Sequence, residues 1–337
     1  MRLKPTTRTF RRLSQFAFLV LFLFLFRHTD YSGQDAIPYA VNIFFRWDPL
    51  VAASVMLAAR QFITLLTPAI IILALTVVLG RVFCGWLCPL GTLLDWIGPL
   101  FKPKARPTQQ LRWIKYALLT IILVSSALGL QLIGFFDPFS LLVRGMTFSV
   151  DPAFNWIVTG IFDGFYVQFP HFAEVATEPL YGIIKQTLLP YRQSLFFLSS
   201  LSFVLLMAIF ALEHWGKRFW CRNICPLGAL LAVFSRFTPF RRKPEQACKD
   251  CPGCAAFCRM NAFDHGTGKL HQEECNLCFD CIDDCMNQRP AFRFTTRHND
   301  ARIDMGRRVF IGAGISGALL PVMSKVNAGP TVPPAAL

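Results

Sequence analysis

Charge is what this chain has least of. Only 16% of its 337 residues are Asp, Glu, Lys or Arg, against about a quarter in a soluble domain. Acid is scarcer still: 20 Asp and Glu face 34 Lys and Arg, a formal net charge of +14. There is no dinucleotide fingerprint, P-loop or zinc-hydrolase motif, so ordinary cytosolic substrate chemistry finds no support. No nucleic-acid motif accompanies the basic excess, which is read as membrane topology and lipid contact rather than nucleic-acid binding. No cysteine is left over: the twelve fall into sets of two, two, four and four.

What is present instead is long apolar sequence. Phe62–Gly80, Tyr116–Phe136 and Ser194–Leu212 are uncharged runs of 19 to 21 residues. About 20 apolar residues cross a hydrocarbon core, so each is expected to be a transmembrane helix. Leu13–Phe26 is shorter, but Arg11, Arg12 and Arg27 flank it and can reach the headgroups. No small-residue cleavage site follows Phe26, so this run is read as an uncleaved anchor rather than a signal peptide. The Gly- and Ala-rich stretch Val309–Ser324 is a fifth candidate.

Basic residues crowd alternate loops: Arg2 to Arg12, Lys102 to Lys115, and Arg241 to Lys243. The intervening loop 134–193 is acidic, with Asp137, Asp151, Asp163, Glu174 and Glu178. The positive-inside rule then puts the N-terminus, the 99–115 connection and residues 217–308 in the cytoplasm. Cysteines in that compartment point to metal or redox chemistry rather than disulfides.

The chain also repeats an order of parts: a span, a Phe-Phe/Asp-Pro element, a span, then Cys-x3-Cys-Pro-Leu-Gly. The first copy runs through Asp48-Pro49 to Cys84 and Cys88; the second runs through Asp137-Pro138 to Cys221 and Cys225. Two spans separate equivalent points, so both copies share one orientation, a parallel repeat. The second copy is longer by 48 residues, placed around Val150–Pro190 as short amphipathic helices outside the membrane. Leu227–Phe240 is expected as a short helix along the inner interface. The domains expected are a first membrane repeat (1–115), a second (116–243), a cytoplasmic cluster-binding module (244–292), and a basic linker with a fifth span and Pro-rich tail (293–337). The fold class is a membrane α-helical bundle of four to five spans with an internal parallel repeat, plus a small α+β ferredoxin domain.

Two cysteine runs carry the chemistry. Cys248-x2-Cys251-x2-Cys254-x3-Cys258 and Cys275-x2-Cys278-x2-Cys281-x3-Cys285 share one spacing, that of bacterial two-cluster ferredoxins. In that pattern three thiolates of a run hold one [4Fe–4S] cube and the fourth crosses to the other. Cys248, Cys251, Cys254 and Cys285 are assigned to one cluster, and Cys275, Cys278, Cys281 and Cys258 to the second. Arg259 and Met286 stand where proline usually follows the fourth cysteine, which weakens the turn but not the ligation. The pairs Cys84/Cys88 and Cys221/Cys225 are less readable. Their i, i+4 spacing puts both sulfurs on one helical face, with Pro89 or Pro226 expected to end the helix. They could converge on one four-thiolate redox or metal site, form a thiol pair in each half, or be ordinary buried cysteines.

Other candidates are Glu213 and His214, for proton handling or as an interfacial flank. Asp48 and Asp137 can cap helices or line a quinone pocket, and capping is the reading taken. Arg46 and Arg144 can contact lipid phosphate or a quinone carbonyl.

Taken together, Cys84-Gly85-Trp86-Leu87-Cys88-Pro89, Cys221-Arg222-Asn223-Ile224-Cys225-Pro226 and the two quartets resemble the NapH/MauN-type membrane ferredoxins. They are similar also to the membrane and ferredoxin part of NosR. The resemblance spans about residues 10–292. It implies an inner-membrane protein that takes electrons from the quinol pool and passes them to periplasmic or membrane-bound redox partners, a quinol dehydrogenase subunit. The NosR likeness implies an alternative, regulation or metal-centre maturation. Met305-Gly306-Arg307-Arg308-Val309-Phe310-Ile311 resembles a twin-arginine signal, but is read as a basic flank before the fifth span. The Pro-rich end, Thr331-Val332-Pro333-Pro334, looks like a linker, which fits a gene fragment or a split module.

Overall fold

The computed structural model describes residues 7–29, 41–101, 109–168, 199–243, 258–263, 270–283, 291–295 and 305–327. Helix α1 (Thr7–Arg27) is an unbroken 21-residue helix. Among the described residues it is the one helix long and apolar enough to cross a bilayer. It turns Leu19, Phe22 and Leu25 inward and leaves Leu13, Phe16, Leu21 and Phe24 exposed.

The runs expected as single spans are mostly broken into shorter helices. Helix α2 (Pro49–Ala59) ends where Arg60 takes a left-handed conformation. The 62–80 run then holds a short 3-10 turn before α3 (Pro68–Leu79), because Pro68, which lacks an N–H, suits a helix's first turn and not its interior. Helices α4 (Val82–Trp86) and α5 (Pro89–Ile97) follow. Helix α6 (Trp113–Ala127) covers little more than half of the Tyr116–Phe136 run, since Gly129 turns the chain with φ of +89°. Helix α7 (Pro138–Gly145) passes through a π turn into α8 (Asp151–Gln168). The rest of the expected outer insertion, residues 169–190, lies outside the described residues. Next come α9 (Ser199–Ala211), α10 (Phe219–Asn223) and α11 (Pro226–Ser235). The fifth candidate run lies within the 21-residue α12 (Arg307–Asn327). Gly317 lets α12 lie close on α6, where a Cβ would stand 2.9 Å from the Ile121 carbonyl oxygen.

The core collects Phe22, Leu50, Leu90, Leu94, Ile122, Phe139, Leu142 and Leu227 from α1, α2, α5, α6, α7 and α11, all 0–1% exposed. Helix α11, expected along the interface, is instead in this core: Leu227, Ala229 and Leu231 are fully buried. A helix apolar on every side packs inward rather than floating at a boundary. Outward, Ile70, Leu75, Phe203, Val204, Ile311 and Leu319 stay exposed. Beyond α11, strand β1 (Phe240–Lys243) pairs antiparallel with β2 (Ala291–Phe294), Phe240 opposite Phe294, and closes the base of the cysteine-rich segment.

The two Asp-Pro elements fold alike. Asp48 caps α2, its Oδ1 accepting from Leu50 N at 2.7 Å and Val51 N at 3.1 Å. Asp137 caps α7, its Oδ2 accepting from Ser140 N at 2.8 Å. Both are fully buried, and the two carboxyl groups lie close enough to act on each other electrostatically. Two carboxylates desolvated side by side repel each other. Asp48→Asn, which keeps the cap and removes that repulsion, is expected to leave thermal stability within about 1 kcal/mol of wild type. Asp48→Ala removes the cap and leaves the Leu50 and Val51 N–H groups without their acceptor, at a cost of about 2–4 kcal/mol. Melting curves of both variants in detergent check this.

Candidate functional site

Cys248, Cys251, Cys254 and Cys285, the set assigned to the first cluster, lie outside the described residues. The other four, Cys258, Cys275, Cys278 and Cys281, line one cavity, walled by Met260, Phe263, Leu270, Phe279 and Phe292. Cys258 reaches it from the first run. The loop achieves this by unusual backbone: Leu277 and Phe279, on either side of Cys278, have φ of +52° and +59°, and Asn261 has +47°. Such conformations wind the chain tightly and aim N–H groups inward. Ala262 N donates to Cys258 Sγ at 3.3 Å, and Leu277 and Asp280 backbone N–H groups bond the sulfurs of Cys275 and Cys278.

Among the described residues no three His, Cys, Asp or Glu side chains stand close enough to hold a single metal ion. Four sulfurs spread around an apolar cavity, with N–H groups on them, suit a multi-iron cluster better than one ion. Soft thiolates are its donors, and N–H bonds to sulfur tune its potential.

The loop bearing this cavity is keyed into the helices by buried charge. Glu274, next to Cys275, receives Lys115 Nζ at 2.6 Å, Arg81 Nη1 at 3.1 Å and the Tyr116 hydroxyl at 3.2 Å. Burial alone would raise its carboxyl, but Lys115 and Arg81 outweigh it and hold the group at about 2. Asp280 pairs with Arg259 at 2.6 Å and Arg11 at 3.1 Å. Arg259 also reaches Asp95 at 3.0 Å, so the residue in the usual proline position ties the module to α5. Trp86 Nε1 donates to Leu277 O at 3.0 Å, Arg11 Nη1 to Cys278 O at 2.8 Å, and Arg112 to Asn261 O. The basic ends of α1 and α6 therefore meet the cysteine module at one end of the bundle.

The paired cysteines are not on one helical face. Cys84 lies in α4 and Cys221 in α10, but Cys88 and Cys225 are extended N-caps of α5 and α11. Pro89 and Pro226 start helices rather than ending them, because a first-turn residue needs no N–H. All four thiols are free and pack into the same core. Glu213, beside them, accepts from Arg218 N at 2.9 Å; burial pushes its carboxyl up to about 7 despite Arg218. Arg144 donates to Gly134 O at 3.2 Å and stacks over Phe135.

Sequence reading missed Arg81, Arg218, Asp95, Lys115 and Glu274. A signal for two of them was present. Arg81 and Arg218 each stand three residues before the first cysteine of a pair, extending the repeated motif to Arg-x2-Cys-x3-Cys-Pro-Leu-Gly.

A family described as a 4Fe-4S binding domain matches residues 61–107 and 195–245, the stretches that hold the two cysteine pairs. The ferredoxin-type protein NapH of Haemophilus influenzae is 28% identical over 312 residues, 85% of this chain and 88% of that protein. NapH of Escherichia coli is 28% identical over 311 residues, with the same shares covered. The chain is thus similar to NapH-type ferredoxins over most of its length. Likeness extends to the regulatory protein NosR of Stutzerimonas stutzeri, 27% identical over 265 residues, 77% of this chain and 30% of NosR. No solved structure matches this chain. A 4Fe-4S binding domain is present in two segments, consistent with iron–sulfur clusters.

Proposed function

We propose that this protein, like the NapH ferredoxins it resembles, is a multi-pass inner-membrane quinol dehydrogenase subunit that relays electrons through two [4Fe–4S] clusters to a membrane-bound or periplasmic redox partner. The clusters, when bound, supply one-electron carriers. Cys275, Cys278, Cys281 and Cys258 would hold one, and Cys248, Cys251, Cys254 and Cys285 the other. The observation that carries the reading is the cavity where Cys258 of the first run joins three cysteines of the second, docked by buried ion pairs on the apolar helices. The rest of the chain's work is positional. Arg11, Arg112 and Trp86 bind loop carbonyls and hold the cavity against α4. Exposed apolar faces of α1, α3, α9 and α12 support a bilayer setting. The basic ends of α1 and α6 at the module support a cytoplasmic module under the positive-inside rule. The matching Asp-capped and Cys-capped helices support a parallel duplication.

NosR likeness favours a second reading, in which the clusters serve regulation or maturation of another protein's metal centre. Anaerobic membranes titrated with a quinol separate the two. On the first reading, electron paramagnetic resonance signals of reduced clusters grow with added quinol. If quinol never reduces them, and a maturation target fails without the protein, the second reading stands.

A further inference from the structure

We infer that Cys84, Cys88, Cys221 and Cys225 together bind a third iron–sulfur cluster, set between the two halves of the helical bundle. The four thiols belong to one packed core. They are near enough to act on one another electrostatically: Cys88 senses Cys84 and Cys221, and Cys225 senses all three others. As with the cavity at Cys258, no group of three or more His, Cys, Asp or Glu set to hold a single metal ion is found here among the described residues. The class of ligand that fits four spread thiolates is a multi-iron cluster.

The surroundings are built for an anion. Cys88 and Cys225 cap the N-termini of α5 and α11, and Gly228 N donates to Cys225 Sγ at 3.3 Å. Helix N-termini favour negative charge. Two arginines complete the frame by crossing between the halves. Arg218, which precedes Cys221, donates to Cys84 O at 2.9 Å and Gly91 O at 3.3 Å in the first half. Arg81, which precedes Cys84, lies against the second half, where a Cβ on Gly228 would stand 2.8 Å from its Nη2. Both are fully buried, at 0% and 2% exposure. Asp95 neutralises Arg218. Arg81 gives Nη1 to Glu274, but its Nε and Nη2 have no hydrogen-bond partner among the described residues, and it faces Cys84 and Cys225. A buried cationic group with open donors calls for an anion, and a cluster held by four thiolates supplies one.

The site also adjoins the ferredoxin module, since Gly85, next to Cys84, touches the carbonyl of Asn276, next to Cys275. The inference rests on the proposed function only in taking the module to carry two clusters.

Iron and sulfide are counted in anaerobically purified full-length protein, wild type and the double variant Cys84→Ser/Cys221→Ser. The expected result is about twelve irons per chain in the wild type and about eight in the variant, with the ferredoxin resonance signals unchanged. About eight in both overturns the inference while leaving the two-cluster reading intact; zinc in place of the extra iron, or disulfides within the pairs, also overturns it. Absence of all iron instead removes the proposed function. Should the double variant fail to fold, the wild-type count decides alone, about twelve supporting the third cluster and about eight refuting it.

Discussion

Glu274→Gln is expected to release the cysteine module from the helices. Lys115 and Arg81 are both fully buried, and Glu274 is the acid that pairs with each. Breaking a buried pair by removing one partner typically costs about 3–5 kcal/mol, because the remaining charge stays desolvated and uncompensated. Here two cations are stranded by one substitution. Glutamine can still accept a hydrogen bond from Lys115, but it cannot neutralise either charge. The loss should show as proteolytic cleavage near residues 240–295 and a lower melting temperature in detergent, with α1 to α11 still helical by circular dichroism. Adding Lys115→Met to Glu274→Gln should recover part of the loss, since it removes one stranded cation. A double-mutant cycle in which the two substitutions simply add would show that Glu274 does not work through Lys115.

Sequence reading and structure part company where tertiary partners decide. The quartet spacing singled out Cys258, Cys275, Cys278 and Cys281 as one candidate set, and these four line one cavity, because cysteine spacing within a run is a local constraint. Asp48 and Asp137 were legible as caps because an Asp followed by Pro is itself a helix-start signal. Helix length was not legible. A 19-residue apolar run satisfies the criterion for a span, yet Pro68 and Gly129 divide such runs, and only the neighbours show where the chain turns. The proline after each cysteine pair was read as a stop because the preceding residues look helical; Cys88 is extended, so Pro89 is a first-turn residue. Least legible was the charge cage. Arg81 and Glu274 are 193 residues apart, and single-sequence patterns carry no signal for pairing at that separation. Arg259 illustrates the same limit, being a departure from the ferredoxin pattern whose reason is Asp95, on another element.

Gly85→Ala is expected to slow electron entry into the module without emptying it. Gly85 lies in α4 between Cys84 and Trp86, facing the loop from Cys275 to Cys278. A Cβ there would overlap the Asn276 carbonyl oxygen; the Cβ is fixed by its own backbone and the atom it meets is a main-chain oxygen, so no side-chain rotation relieves the clash. The loop must move away from α4, which strains the Trp86 bond to Leu277 O. Overpacking of this kind costs about 1–3 kcal/mol, less than the ion cage contributes, so the module should stay docked in a displaced position. Electron exchange falls steeply with separation, whereas iron content depends on cysteines that the substitution does not touch. The expected outcome is therefore unchanged iron and sulfide with a reduced rate of quinol-driven cluster reduction. Gly134→Ala is the matched control, since a Cβ at that position meets nothing within 4 Å. A Gly85→Ala protein reduced as fast as the Gly134→Ala control would mean that the contact between α4 and the Cys275 loop lies off the electron path.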